Sequence, residues 1–204
     1  MVSWDSEALR RPATAYAQTL AAIFSGRPYH PRNDNLMIQF DPTYNYGDSD
    51  LINDKNLAYW KFGELIKTLV TMTCNADKQI EIMGAGIVTD DMAEDFYSYY
   101  TLSFKELLDC GLLTEISNQK LKELNDFFDD RNGSKDPDFW DDLQLATNKD
   151  WQIVRAKASE ILTMLNMDNL ELEFDRTEKY ETTAQGQKLI MQTTKSRLRR
   201  KNSC

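Results

Sequence analysis

A run of apolar residues at helical spacing in the region 56–75 constrains the fold more than any other feature. Ala58, Phe62, Leu65, Leu69 and Met72 follow one another at alternating intervals of four and three residues, so they lie on one helical face. That face is widened by Ile66, Val70 and Cys74. An apolar face this wide predicts a helix near the centre of a helical core.

Further helices are indicated along the chain by apolar periodicity and by capping residues. They are predicted from Thr89, as N-cap, to Cys110; from about Thr114 to Asp130 with Ile116 inward; after Asp136 with Phe139, Trp140 and Leu143 inward; from about Lys149 to Met167; and, more weakly, over 177–192. The segment 79–83 is typical of either a strand or a helix end, and Leu170–Asp175 alternates like a half-buried strand. The predicted fold is mostly α, a single-domain helical bundle or orthogonal array of about five to seven helices with at most a minor short strand pair.

Charge divides the chain into three parts. Residues 33–187 hold 14 basic and 31 acidic residues, a net charge of −17, whereas residues 188–204 hold six basic residues and no acidic one. We therefore predict an N-terminal segment over 1–36, an acidic helical domain over 37–187 and a basic tail over 188–204. The tail is interpreted as a solvated end, or as a segment that contacts nucleic acid or an acidic partner. For the domain itself, nucleic-acid binding is disfavoured by its charge.

Three interpretations of residues 1–36 stay open from the sequence. The segment is a helix that docks on the domain, a targeting leader rich in alanine and arginine, or an upstream extension with the native domain beginning at Met37. A short strand over Met37–Phe40 is the one element indicated in the turn-rich stretch that follows.

The sequence offers little of the machinery that common catalytic or metal sites require. His30 is the sole histidine, which disfavours histidine-based triads and zinc sites. Cys74 and Cys110 lie on apolar helical faces and are interpreted as inert core residues. Gly84-Ala-Gly86 departs from the dinucleotide-binding pattern and indicates an interhelical turn. We predict no cofactor and no metal ion.

Three widely spaced cysteines and the lack of a long apolar span favour a cytoplasmic location away from membranes.

Acidic residues lie beside aromatic residues in three places along the chain, and together they form the candidate partner-binding site. Charge can steer the encounter with a basic protein while aromatic side chains anchor it. The candidate residues are Asp90, Asp91, Glu94, Asp95, Tyr97, Asp129, Asp130, Asp138, Asp141 and Asp142.

These patterns favour a non-enzymatic protein that binds a basic protein partner. The most concrete version is an inhibitor, such as an immunity or antitoxin protein that occludes the active site of a toxin. Two alternatives stay open: an enzyme that uses dispersed carboxylates with a divalent metal ion, and a structural helical scaffold module. The sequence does not indicate an oligomeric state.

Overall fold

The computed structural model describes residues 40–48, 54–132, 135–183 and 186–202, all within one compact unit. Six α-helices and one antiparallel hairpin lie in these ranges. The helices are α1 (Asp54–Thr73), α2 (Ala76–Met83), α3 (Val88–Phe96), α4 (Phe104–Asp109), α5 (Glu115–Asp129) and α6 (Lys149–Met164); the strands are β1 (Leu170–Thr183) and β2 (Gly186–Arg200). The predicted mostly α fold with one strand pair is confirmed.

Helix α1 occupies the centre of the core, as its wide apolar face predicts. Leu65, Ile66 and Leu69 are completely buried, and α1 packs on α2, α3, α6 and the base of the hairpin. Burial of each such aliphatic side chain stabilises the fold by about 1.5–3 kcal/mol. The predicted helix ends at Thr73, because Asn75 begins α2 by accepting a hydrogen bond from the Lys78 amide.

Helices α5 and α6 complete the core around a pair of stacked rings. Trp151 of α6 is fully buried, its ring stacks on Phe139 with centroids 4.9 Å apart, and its Nε1 donates to the Phe139 carbonyl at 2.7 Å. Helix α5 begins with a capping box between Thr114 and Ser117, which agrees with the predicted start. The inward position predicted for Ile116 is wrong: its side chain is 69% exposed, and Ser117 is buried instead.

The segment predicted as one helix from Thr89 to Cys110 is divided. Helix α3 passes into a π-helical turn over Tyr97–Thr101, where the Leu102 amide donates to the Tyr97 carbonyl at 3.2 Å, and α4 follows. Thr89 is not the N-cap, because α3 begins at Val88 and Ile87 holds the N-cap position. Cys110 is exposed at the end of α4 rather than in the core, whereas Cys74 is partly buried and its Sγ donates to the Val70 carbonyl at 3.4 Å.

The short α-helix predicted after Asp136 is also wrong. A turn closes there with the Phe139 amide donating to the Asp136 carbonyl, and a 3₁₀ turn over Asp142–Gln144 follows. Phe139 is buried as predicted, but Leu143 is 87% exposed. Turns are enough to bury the Phe139 ring and to half-bury the Trp140 ring, so the inward positions of these rings do not require a helix.

The chain ends in a hairpin whose strands span 14 and 15 residues, longer than the short pair that the sequence suggested. Strand β1 begins with the predicted alternation, and the weak helix over 177–192 is wrong, since those residues lie in the hairpin. Leu170 and Leu198 anchor the base in the core. Farther along, Arg176 donates to the carbonyls of Glu81 and Ile82 at the end of α2, at 2.5 and 2.8 Å.

The three interpretations of residues 1–36 and the single histidine, His30, lie outside the described residues. So does the predicted strand over Met37–Phe40, except for Phe40 itself. Phe40 stacks on Tyr46, with ring centroids 5.6 Å apart, and lies against Phe62 of α1.

In the part of the chain that the structure describes, no helix combines the length and apolar character needed to cross a bilayer.

Candidate protein interface

A groove of about 500 Å³ lies between α3 with its π turn and the C-terminal half of α5. It brings together acidic residues that are far apart in sequence. The lining residues are Asp90, Ala93, Glu94, Phe96, Tyr97, Ser98, Asn125, Phe128, Asp129, Asn132 and Trp140. We call this cavity the acidic groove.

The floor of the acidic groove is aromatic and held in place by the core. Phe96 and Phe128 are buried, with ring centroids 5.8 Å apart. Trp140 packs edge-on against Phe139 at 4.8 Å, and its Nε1 donates to the Arg131 carbonyl at 2.7 Å. These contacts fix the rings in one arrangement, so a ligand would meet a surface that is already formed.

Three carboxylates lie at the rim. Asp90 and Glu94 are one turn apart on α3, and Asp129 of α5 lines the opposite side. None of the three forms an ion pair with a basic side chain among residues 40–48, 54–132, 135–183 and 186–202. Asp90 and Glu94, four residues apart on one helix, repel each other, and a cation bound between them would relieve this repulsion.

Asp129 is held toward the groove by a chain of hydrogen bonds from the π turn. Thr101 Oγ1 donates to Asn125 Oδ1 at 2.7 Å, and Asn125 Nδ2 donates to Asp129 Oδ2 at 2.8 Å. Lys135 lies nearby but donates to the Asp129 backbone carbonyl, at 3.4 Å, not to its carboxylate. The Asp129 carboxylate therefore keeps acceptor capacity for a cationic group.

The π turn determines which tyrosine reaches the rim. Tyr97 is 49% exposed beside the acids, whereas Tyr100 is buried and its hydroxyl bonds with the Asn118 carbonyl at 3.1 Å. Burial raises the pKa of Tyr100 to about 12. Turns of this kind insert one residue into the helix and are common at functional sites. The three tyrosines of this helix are thus separated, with Tyr99 packed edge-on against Trp60 at 5.8 Å.

Of the ten candidate residues, four line the acidic groove: Asp90, Glu94, Tyr97 and Asp129. Asp95 instead lines a cavity of about 190 Å³ between α1, α3 and the hairpin. Burial, together with the nearby charges of Asp91 and Glu64, raises its pKa to about 6. Three further candidates do not line the groove. Asp91 is partly buried on α3, and Asp130 and Asp138 are exposed, the first at the end of α5 and the second before Phe139.

Two candidate residues have structural contacts. Asp142 accepts hydrogen bonds from the amides of Val88 and Thr89, both at 2.9 Å, and from Thr89 Oγ1 at 3.0 Å, so it caps α3 across more than 50 residues of sequence. Asp141 accepts a hydrogen bond from the Leu143 amide at 3.0 Å and begins the 3₁₀ turn. Both carboxylates are already engaged in the fold.

The basic segment that follows residue 187 is paired with acids in the hairpin. Most of it forms β2 instead of a frayed end, and Glu171 lies opposite Arg199, Glu173 opposite Arg197 and Asp175 opposite Lys195. Arg197 Nε is 2.9 Å from Glu173 Oε2, and Arg199 Nε is 3.2 Å from Glu171 Oε1. These exposed pairs add little stability, but they offset the positive charge that a nucleic acid would meet.

Sequence reasoning missed Asn125 and Ser98 as lining residues, because neither carries charge or an aromatic ring. The capping role of Asp142 was also missed, since its partners are remote in sequence. Within the described ranges, no three His, Cys, Asp or Glu side chains converge in a way that could hold a metal ion. Comparison of the chain with protein-family models, curated proteins and solved structures gives no match.

Proposed function

We propose that this chain binds a basic protein partner through the acidic groove. The observation that carries the proposal is the placement of Asp90, Glu94 and Asp129 around a fixed aromatic floor, with Tyr97 exposed beside them. An interface of this type needs charge to attract the partner and exposed aromatic surface to anchor it.

Arginine is the side chain that best suits this surface. Its planar guanidinium can stack on Tyr97 or Trp140 while it donates to two carboxylate oxygens. The cavity of about 500 Å³ has room for one or two such side chains, and acidic residues of both α3 and α5 line it. A basic loop or helix of the partner would then cover the rim.

The concrete form of the proposal is inhibition by occlusion. A basic enzyme such as a toxin would lose activity when its positively charged active-site surface is covered by α3 and α5. Association would be steered by the net charge of −17 between residues 33 and 187 and would slow as salt rises.

A fluorescently labelled arginine-rich peptide and its citrulline analogue test the recognition step, since citrulline keeps the shape but removes the charge. We expect anisotropy to show binding of the arginine peptide that weakens from low to physiological salt, with little binding of the analogue. Removal of two rim charges in D90N/E94Q should weaken binding about fivefold or more.

The matched control is D109N/D168N, which removes two exposed acids outside the groove and leaves the net charge equal to that of the test variant. Equal weakening by both variants would mean that net charge alone attracts the peptide, and would contradict binding in the acidic groove.

A melting temperature that rises with Mn²⁺, and loses that rise in D90N/E94Q, would favour the carboxylate enzyme instead. The inhibitor form further requires a basic enzyme that loses activity in a 1:1 complex.

A further inference from the structure

The outer edge of β1 differs from the outer edge of β2. Within the described residues the sheet has two strands only, so neither edge is paired with a third strand. Lys179 pairs with Met191 and Tyr180 with Leu189, which makes Ile190 an extra residue on β2. Such a bulge protects a strand from further pairing, and β1 has none over its 14 residues.

The side chains of β1 are self-complementary about Thr177. One residue away on either side lie Arg176 and Glu178, and two residues away lie Asp175 and Lys179. At three residues both side chains are aromatic, Phe174 and Tyr180. An antiparallel pair of identical strands centred on Thr177 would therefore place opposite charges, and like rings, across from each other.

We propose that a second copy of this chain pairs with β1 along this edge, antiparallel and with a two-fold axis at Thr177. The two hairpins then form one four-stranded sheet with β1 strands at its centre. Asp175 faces Lys179 of the second copy, and by symmetry this pair occurs twice. Arg176 lies opposite Glu178 of the second copy in the same register and adds positive charge there, although its guanidinium also donates to the carbonyls of Glu81 and Ile82 in its own copy. The pairing is independent of the acidic groove, which lies between α3 and α5.

The charges select this register over its neighbours. A shift that keeps the same faces together moves the axis to residue 176 or to residue 178. The first places Arg176 opposite its own copy, and the second places Glu178 opposite its own copy. Like charges directly opposite are destabilising, so both shifts are disfavoured.

The proposed register has one unfavourable contact, between Glu173 and Glu181 of the second copy. Each of these acids has a base opposite it within its own hairpin: Arg197 is 2.9 Å from Glu173, and Lys188 is the register partner of Glu181. The cross-strand bases therefore reduce the repulsion. Asp175, Glu178, Lys179 and Tyr180 are exposed and can meet a second copy, whereas Arg176 is partly buried against the end of α2.

Sedimentation velocity of the full chain from low micromolar to about 0.5 mM tests the proposal, and a concentration-dependent dimer is expected. Lys179→Asp leaves the charge pairs within the hairpin intact, since residue 179 faces Met191, but puts a carboxylate opposite Asp175 of the second copy at both symmetry-related contacts. It should weaken the dimer about tenfold or more. Asp175→Lys should do the same, although it also places two lysines opposite each other within the hairpin, at 175 and 195. Lys105→Asp on α4 is the matched charge reversal and should change nothing.

Mixing supplies the decisive result. K179D and D175K proteins are each expected to be monomeric, yet a 1:1 mixture should dimerise, because both charge pairs are restored between unlike copies. A wild-type chain that stays monomeric at all concentrations, or a mixture that behaves as the sum of its parts, would overturn the proposal.

A cysteine at the axis gives a second readout that does not depend on charge. Opposed residues in an antiparallel pair have Cα atoms about 4.5–5.5 Å apart, within disulfide range. Thr177→Cys should therefore form a covalent dimer under mild oxidation. Thr193→Cys, directly across the hairpin from residue 177, should form no more than the wild type. Equal cross-linking by both variants would contradict the proposed axis.

Discussion

Replacement of Asp95 by asparagine should make the protein more stable at neutral pH, although it removes a charge from a helix. Asp95 is partly buried on α3, in the cavity that it shares with Glu64 and Lys67. Lys67 Nζ is bound to Glu64 at 2.8 Å, so its charge is directed to that residue. Burial, and then the charges of Asp91, Glu64 and Glu94, raise the pKa of Asp95 to about 6.

The size of the effect follows from that pKa. An ordinary aspartate has a pKa of 3.8, so holding Asp95 ionised in the folded state costs up to about 3 kcal/mol at 1.36 kcal/mol per pKa unit. Partial solvent access screens the charge, and a gain of about 1–2 kcal/mol for D95N at pH 7.5 is the reasonable expectation.

The pH dependence has a definite sign. Because the folded state holds the proton more tightly than the unfolded state, Asp95 lowers stability progressively as pH rises from about 4 to above 6. Asparagine does not titrate, so the gain in D95N is largest above pH 7 and falls to about a third of that value at pH 4.5.

Urea denaturation followed by tryptophan fluorescence, at pH 4.5 and 7.5, measures both quantities. Asp109→Asn is the control: this acid is exposed at the end of α4 and is not among the charges that raise the pKa of Asp95, so its substitution should change stability by less than about 0.5 kcal/mol. A gain for D95N that is equal at both pH values, or a loss at pH 7.5, would refute the assignment of a burial cost to this carboxylate.

Three further substitutions test contacts that hold the fold together. Asp142→Ala removes the acceptor for two α3 amides and should lower the free energy of unfolding, measured in urea, by about 2–3 kcal/mol. Amide hydrogen exchange at Thr89 should become faster, and unchanged exchange would contradict the capping role of Asp142. Arg155→Met removes hydrogen bonds to the carbonyls of residues 74 and 145 and should cost about 1–3 kcal/mol, measured by the same denaturation, whereas a neutral result would mean that water replaces them. Gly84→Ala forces a left-handed φ of 78° on a residue with a side chain and drives its Cβ against the side-chain amide of Gln192, so about 1–2 kcal/mol should be lost. NMR shifts should then change at the hairpin, while shifts confined to α2 would argue against that contact.

The sequence predicted best where a helix carries its own signals. Helix α5 has a local cap at Thr114 and a buried stripe through Leu121, Leu124 and Phe128, so its start and end follow from neighbouring residues. Helix α1 likewise follows from its apolar spacing. In both cases the contacts that decide the structure lie within one or two turns.

Prediction failed where distant residues decide the structure. The start of α3 depends on Asp142, and the hairpin over 177–192 is exposed on much of both faces, so it lacks the alternation that indicates a strand. For the candidate interface, the acids of α3 were visible in the sequence. Their placement opposite Asp129 depends on how α3 and α5 pack, which no local pattern contains.

The two ways in which helices are capped in this protein imply an order of folding. The cap of α5 joins Thr114 and Ser117, three residues apart, so it can form as soon as the first turn does. The cap of α3 requires closure of a loop of more than 50 residues, with the entropy loss that such closure entails. We therefore expect α5 to be structured in the folding transition state and the first turn of α3 to order after it. Substitution of Asp142 would then accelerate unfolding while leaving the folding rate nearly unchanged.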